Sequence, residues 1–215
     1  MLLNDAKNAL EQLKGRKFEE IFSSEQLEGI IKNKGKSGQI LELAIGLKNT
    51  NVTLDFEDGE LKTNKCNRSG KPLETVFITQ VNSMLDELLR GLKFEESKLC
   101  KKICNLLYVP ISKDGSPSEW FILDVIHINF NEDKHRNVLK QLEKDYYSIC
   151  EQLKNHIENS KDGFIHTSNG EFIQIRSKDS QPYKPIYSEV YQREVSNKNH
   201  AFYFKKEFMK YLLGI

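Results

Sequence analysis

Residues 132–159 contain neither glycine nor proline. They carry apolar side chains at Val138, Leu139, Leu142, Tyr146, Ile149 and Leu153, the spacing of a long helix with one buried stripe. Upstream, apolar positions recur at helical spacing through Leu2–Leu13, Phe18–Ile31 and Gly38–Leu47, so the N-terminal region reads as helical. The pattern then changes to extended chain. Residues 51–64 read as two short strands joined by an Asp58-Gly59 turn, and Leu73–Val81 is rich in β-branched and aromatic residues.

Further on, Asn82–Leu92 is expected to form a short helix, Leu106–Ile111 and Trp120–Phe130 buried strands, and Glu171–Arg176 an alternating strand. Ser177–Pro185 reads as a polar loop and Phe202–Leu213 as a closing helix. The expected class is mixed α/β: a central mixed sheet flanked by a helical N-terminal layer and one long packing helix. With no internal repeat or low-complexity linker, residues 1–215 read as one domain, long enough for two lobes.

Thirty-two Lys and Arg stand against 31 Asp and Glu, a net charge of +1, so nucleic-acid binding has to come from clustered charge. No stretch of about 18 apolar residues occurs, and the N-terminus lacks the basic and apolar regions of a signal peptide. A cytoplasmic protein without membrane contact is expected. Cys66, Cys100, Cys104 and Cys150 form no CxxC and read as free thiols, and the five histidines show no metal-ligand spacing.

The chemistry concentrates at Asp55 and Glu60-Leu61-Lys62. Two carboxylates brought together can hold Mg²⁺, which prefers oxygen ligands and keeps waters for a substrate phosphate. On a strand Glu60 and Lys62 share a face. The ammonium beside the carboxylate can orient or deprotonate a water and stabilise charge building on a phosphate. The same spacing also suits an exposed hairpin with ordinary surface charges. Glu42 argues against that: it falls among Ile40, Leu41, Ala44 and Ile45 on the inner side of a helix, where a carboxylate needs a cationic partner.

The blocks GKSGQILE, DFEDGELKTN, GKPLETVFI, LLYVPI, GEFIQIRSK and AFYFKKEFMKYLL, in that order from Gly35 to Leu213, resemble the MutH family of DNA endonucleases, which includes GATC-cutting type II restriction enzymes. The resemblance implies a restriction-endonuclease-like fold with two lobes around a DNA cleft, making residues 1–215 a single endonuclease domain. It makes Asp55, Glu60 and Lys62 the catalytic set and Glu42 an additional active-site glutamate. Lys102 becomes a second active-site lysine, with neighbouring Lys101 the alternative. It further implies that Asp55, Glu60 and Leu61 hold Mg²⁺, with Mn²⁺ able to substitute, and that Phe77, Arg176, Lys178 and Tyr203 contact double-stranded DNA.

Composition is consistent with the last point. Phe172–Ile215 carries eight Lys or Arg and four Asp or Glu, a local excess of four positive charges suited to phosphate. Phe202 and Phe204 are expected to pack and Tyr203 to face outward. The basic turn Lys65, Arg68 and Lys71 fits either a phosphate contact or a solvated loop. Two departures from the mismatch-repair members stand out: Ser177 in place of their usual proline, and an unmatched segment Asn82–Glu96. These favour a type II restriction endonuclease at a short site such as GATC, and double-stranded DNA with a homodimer forming on it is the expected partnership. The alternatives are a mismatch-repair nickase with an activating partner, and a DNA-binding or allosteric module that retains the fold without catalysis.

Overall fold

The computed structural model describes residues 1–32, 36–47, 54–178 and 184–215. In chain order the elements begin with helices α1 (Leu3–Glu11), α2 (Ser24–Lys32) and α3 (Lys36–Ala44), then strands β1 (Glu60–Cys66) and β2 (Val76–Gln80). Helices α4 (Leu85–Leu89) and α5 (Lys98–Ile103) precede β3 (Asn105–Ser112), β4 (Phe121–Ile122) and β5 (Ile126–Asn129). The long helix α6 (Arg136–Asn159) follows, then β6 (Ser168–Asn169), β7 (Ile173–Ser177), β8 (Ile186–Ser188), β9 (Arg193–Ser196), β10 (His200–Phe204) and α7 (Lys206–Leu213).

The chain divides into two compact units. The first comprises Met1–Val76, Lys102–Asn129 and Leu213–Ile215, and the second Phe77–Lys101 and Phe130–Leu212. In the first, β3 is the central strand of a four-stranded sheet: it pairs parallel with β1 and antiparallel with β4 and β5. Leu61, Leu107, Val109 and Ile111 face a core shared with Leu3, Ala6 and Leu10 of α1, with Ile40 and Leu41 of α3 and with Ile45 just after it. The spacing Leu3, Ala6, Leu10 is one helical stripe, which is why α1 buries only that face.

The second unit has a four-stranded sheet in the order β2-β10-β7-β6 and a two-stranded ribbon of β8 and β9. Helix α6 packs against β6, β7 and α4, burying Val138, Leu142, Tyr146, Ile149, Cys150, Leu153 and Ile157 along one stripe. Asp145 is buried on the same stripe because its carboxylate accepts the backbone N–H groups of Glu171, Phe172 and Ile173 at 2.8, 2.6 and 3.2 Å. This clamp fixes the chain where β7 begins.

The mixed α/β class holds, and four expectations are corrected. Phe18–Ile31 is not one helix: a short 3₁₀ turn at Phe18–Glu20 ends before α2, and a reciprocal Ser23–Gln26 side-chain capping pair restarts the chain. Asp58-Gly59 makes no hairpin, since Leu54–Asp58 is a series of bends and β1 pairs with distant β3. Residues 51–53, expected as strand, lie outside the described residues, as do 179–183 of the expected polar loop and Gly35 of the first motif. Trp120–Phe130 splits into β4 and β5, and Phe202–Phe204 belongs to β10, with the helix starting only at Lys206. Cys66, Cys100, Cys104 and Cys150 form no disulfide, and among the described residues no helix is long and apolar enough to cross a membrane.

Candidate active site

The first unit brings Glu42, Asp55, Glu60, Lys62 and Lys102 into one cluster, although the last lies 60 positions from the first. Period-two alternation along β1 puts Leu61 into the apolar core and leaves Glu60 and Lys62 together on the opposite face. Both are nonetheless buried, at 3 and 8% exposure. A buried carboxylate and ammonium must be paired to be tolerated. Lys62 Nζ lies 2.9 Å from Glu60 Oε1, and Lys102 Nζ lies 2.7 Å from the same oxygen.

Lys102 reaches that oxygen because of the parallel pairing. Glu60 stands opposite Leu106, so the last turn of α5, just ahead of β3, comes beside the start of β1. Lys101, the alternative, is exposed.

The bend before β1 holds the second carboxylate. Phe56 N–H bonds Gly59 O at 3.0 Å, Leu61 N–H donates to Asp55 Oδ2 at 2.9 Å, and Asp55 N–H donates to Glu60 Oε2 at 3.2 Å. Each carboxylate is therefore anchored by a backbone amide at or next to the other. Gly59 is required by close approach, since a Cβ there would meet Leu3 Cδ1 at 2.6 Å and Asn105 O at 2.8 Å. Its φ is not in the left-handed region that an Asp-Gly hairpin turn needs.

Glu42 is half-buried on α3, while Leu43 and Ala44 beside it are exposed, so the inner side expected for Ala44 is narrower than the sequence suggests. Burial and then the Asp55 carboxylate push the Glu42 carboxyl up from its ordinary range, against the pull of Lys62 and Lys102. Burial and then Glu60 push Asp55 up likewise, opposed by Lys62 and the Leu61 N–H. Three carboxylates and two ammoniums thus share a confined site that leaves Glu42 and Asp55 short of compensation.

Among the described residues no three His, Cys, Asp or Glu side chains are arranged as a complete metal-binding group. What the cluster offers is two carboxylates, Asp55 and Glu60, tied together through the Leu61 and Asp55 N–H groups. Such a sparse all-oxygen set fits Mg²⁺, which retains several of its own waters, better than a closed transition-metal site. The raised carboxyls fit a divalent cation too, because added positive charge would relieve them.

The Glu42 shift has a testable sign. A carboxyl raised in the folded state binds its proton more tightly there than when unfolded, so its contribution to stability falls as pH rises above the ordinary glutamate range of about 4.3. Metal-free Glu42→Gln is therefore expected to be more stable than the parent at pH 8, with the difference vanishing near pH 4. Urea midpoints at the two pH values check this, and a difference independent of pH would contradict it.

The second unit gathers the four residues expected at DNA. Phe77 and Tyr203 meet edge to face with centroids 5.7 Å apart, Arg176 lies over the Tyr203 ring at 4.4 Å, and Lys178 Nζ lies over Phe77 at 4.9 Å. Phe77 is 38% exposed. Tyr203 points away from the packed Phe202 and Phe204, as alternation requires, but is 8% exposed because Phe77 and Arg176 cover it. β7 and β10 pair with Arg176 opposite Ala201 and Tyr203 opposite Gln174, so Arg176 and Tyr203 are diagonal neighbours across the pair.

A family model described as "DNA mismatch repair enzyme MutH" matches residues 47–142, a span that includes Asp55, Glu60, Lys62, Phe77 and Lys102. The DNA mismatch repair protein MutH of Buchnera aphidicola subsp. Baizongia pistaciae is 29% identical over 211 residues, covering 94% of this chain and 92% of that protein. The protein of the same description from Shewanella woodyi is 34% identical over 102 residues, 41% of this chain and 43% of its own. That of Shigella flexneri serotype 5b is 27% identical over 222 residues, 95% and 88% respectively.

Proposed function

We propose that the chain is a MutH-family DNA endonuclease, a reading its matches support, and that it hydrolyses one phosphodiester bond at a short DNA site, using Glu42, Asp55, Glu60, Lys62 and Lys102. The observation that carries this reading is the convergence of two ammoniums from separate elements on Glu60 Oε1, with Asp55 tied to the same carboxylate through the backbone. A surface hairpin would leave these charges solvated. Here they are enclosed, and an enclosed charge cluster is suited to stabilise charge that appears during reaction.

Asp55, Glu60 and the Leu61 carbonyl would hold Mg²⁺, for which Mn²⁺ can substitute; when bound, it supplies Lewis acidity toward the phosphate and toward a water. Lys62 orients the attacking water and faces the negative charge that builds on the phosphate oxygens. Lys102 holds Glu60 in place and adds a second positive charge. Glu42, whose carboxyl keeps a proton more readily than usual because of burial and Asp55, would hydrogen-bond the attacking water. The attacking water gives up a proton to solvent as its oxygen bonds to phosphorus, the bond from phosphorus to the departing strand's oxygen breaks, and that oxygen takes up a proton from solvent. All five positions keep the residue types this chemistry needs, which sets aside a non-catalytic module.

We place strand nicking in mismatch repair first, because relatives bearing that description match this chain almost from end to end. A type II restriction enzyme with the same chemistry is the second reading, favoured by Ser177 beside Arg176 where the repair members usually have proline. A supercoiled plasmid with one GATC site, prepared unmethylated, hemimethylated and fully methylated, separates them. Nicked circles from the hemimethylated form, increased by a mismatch-repair activator, are the expected product. Linear DNA from the unmethylated form with purified protein alone would favour restriction.

The patch of Phe77, Arg176, Lys178 and Tyr203 would read the site. Alanine at Arg176 is expected to lower cognate affinity by about 1–3 kcal/mol and leave scrambled DNA nearly unaffected, the behaviour of a base contact. Equal losses on both duplexes, with a salt slope reduced by about one, would show a phosphate contact instead. Binding to both duplexes at several salt concentrations in Ca²⁺ decides between them, and the same comparison applies to Lys178.

A further inference from the structure

The polar face of β1 continues past Lys62. Glu60, Lys62 and Asn64 alternate onto it, each buried, so Lys62 stands midway between two oxygen-bearing side chains about one strand repeat, ~6.7 Å, to either side. Its ammonium donates to Glu60 Oε1. Asn64 donates from Nδ2 to the Tyr108 hydroxyl at 3.2 Å, and Tyr108 pairs in register with Lys62. Asn64 Oδ1 is buried and has no hydrogen-bond partner; among the described residues only Glu87 Oε2 shares that condition. A buried amide oxygen left without a donor is costly, and a strand offers many residues that would avoid the cost.

We propose that Asn64 is a positioning residue for Lys62: its Oδ1 is the second acceptor on the strand face and receives the ammonium when Glu60 is engaged by another cation. This rests on the reading of Asp55 and Glu60 as cation-binding carboxylates. Glu60 Oε1 already carries two ammoniums, so a divalent cation at this carboxylate has to compete with them. A neutral acceptor two residues along gives Lys62 a place to move without leaving the site. The Tyr108 hydroxyl, by holding Nδ2, keeps the carboxamide from turning away.

Asn64→Leu is close in size and has no acceptor. The metal-free variant is expected to keep the parent's melting temperature, since it loses an unpaired oxygen along with one hydrogen bond. Calorimetric titration with Ca²⁺ is expected to show roughly tenfold weaker binding, the scale of one hydrogen bond to a charged group, because Lys62 then stays on Glu60. The turnover number for DNA cleavage should fall while KM for DNA stays unchanged. Asn64→Asp, which retains an oxygen acceptor, should restore Ca²⁺ affinity. Parental Ca²⁺ affinity and turnover in Asn64→Leu would overturn the proposal and leave the oxygen a packing flaw. Should leucine prevent folding, Asn64→Val, well suited to a strand, carries the same measurement. Failure of the unaltered protein to bind Ca²⁺ would instead overturn the reading of Asp55 and Glu60.

Discussion

Asp55→Asn is expected to reduce DNA cleavage by at least ~10³-fold while the metal-free protein remains folded. The substitution removes one of two negative charges available to a divalent cation but keeps an oxygen able to accept the Leu61 N–H. It also removes a carboxylate whose charge is disfavoured by burial and by Glu60, so the metal-free variant should melt no lower than the parent. Calorimetry should show weakened Ca²⁺ binding. The corresponding change at Glu60 is less clean, because it strips Lys62 and Lys102 of their common partner and leaves two enclosed ammoniums uncompensated. Cleavage at the parental rate by Asp55→Asn would show that the reaction takes place elsewhere.

Lys62→Met is expected to lower cleavage by about 10²- to 10³-fold, the usual cost of removing one donor aimed at developing charge. Methionine keeps the length and apolar stem of a side chain that is 8% exposed, and Glu60 retains Lys102 at 2.7 Å, so the carboxylate stays paired and the fold should survive. Because Lys62 is a cation on the very oxygen a metal would use, its loss should leave Ca²⁺ affinity unchanged or raise it. Weaker Ca²⁺ binding in Lys62→Met would contradict the role assigned to this lysine. Parental cleavage would remove it from the site.

The part of this site that lies on one strand was legible in the sequence, because alternation is a local rule: Glu60 and Lys62 had to share a face. Glu42 was legible for a similar reason, as an acidic residue inside a helical apolar stripe. Lys102 was not, except through resemblance. Its position depends on the parallel pairing of β1 with β3, and no short-range signal reports a partner more than 40 residues away. The same non-local pairing undid the hairpin expected at Asp58-Gly59. There glycine answers to the closeness of Leu3 and Asn105, not to a turn type.

The aromatic run at Phe202–Phe204 was read as helix since a helix does follow it. Burial on both sheet faces, which makes β10 nearly continuous in apolar residues, erases the alternation that would have marked it as a strand. Asn64 lay on the very face already singled out, one alternation further. An amide carries no charge to attract notice, and its significance emerges only from the absence of a donor for its oxygen.

The most direct test of the account is an anomalous difference map from crystals soaked in Mn²⁺. A single strong peak within coordination distance of Asp55, Glu60 and the Leu61 carbonyl, with Lys62 displaced toward Asn64, is the predicted result. An ion bound at other residues, with Glu60 still shared by Lys62 and Lys102, would contradict it.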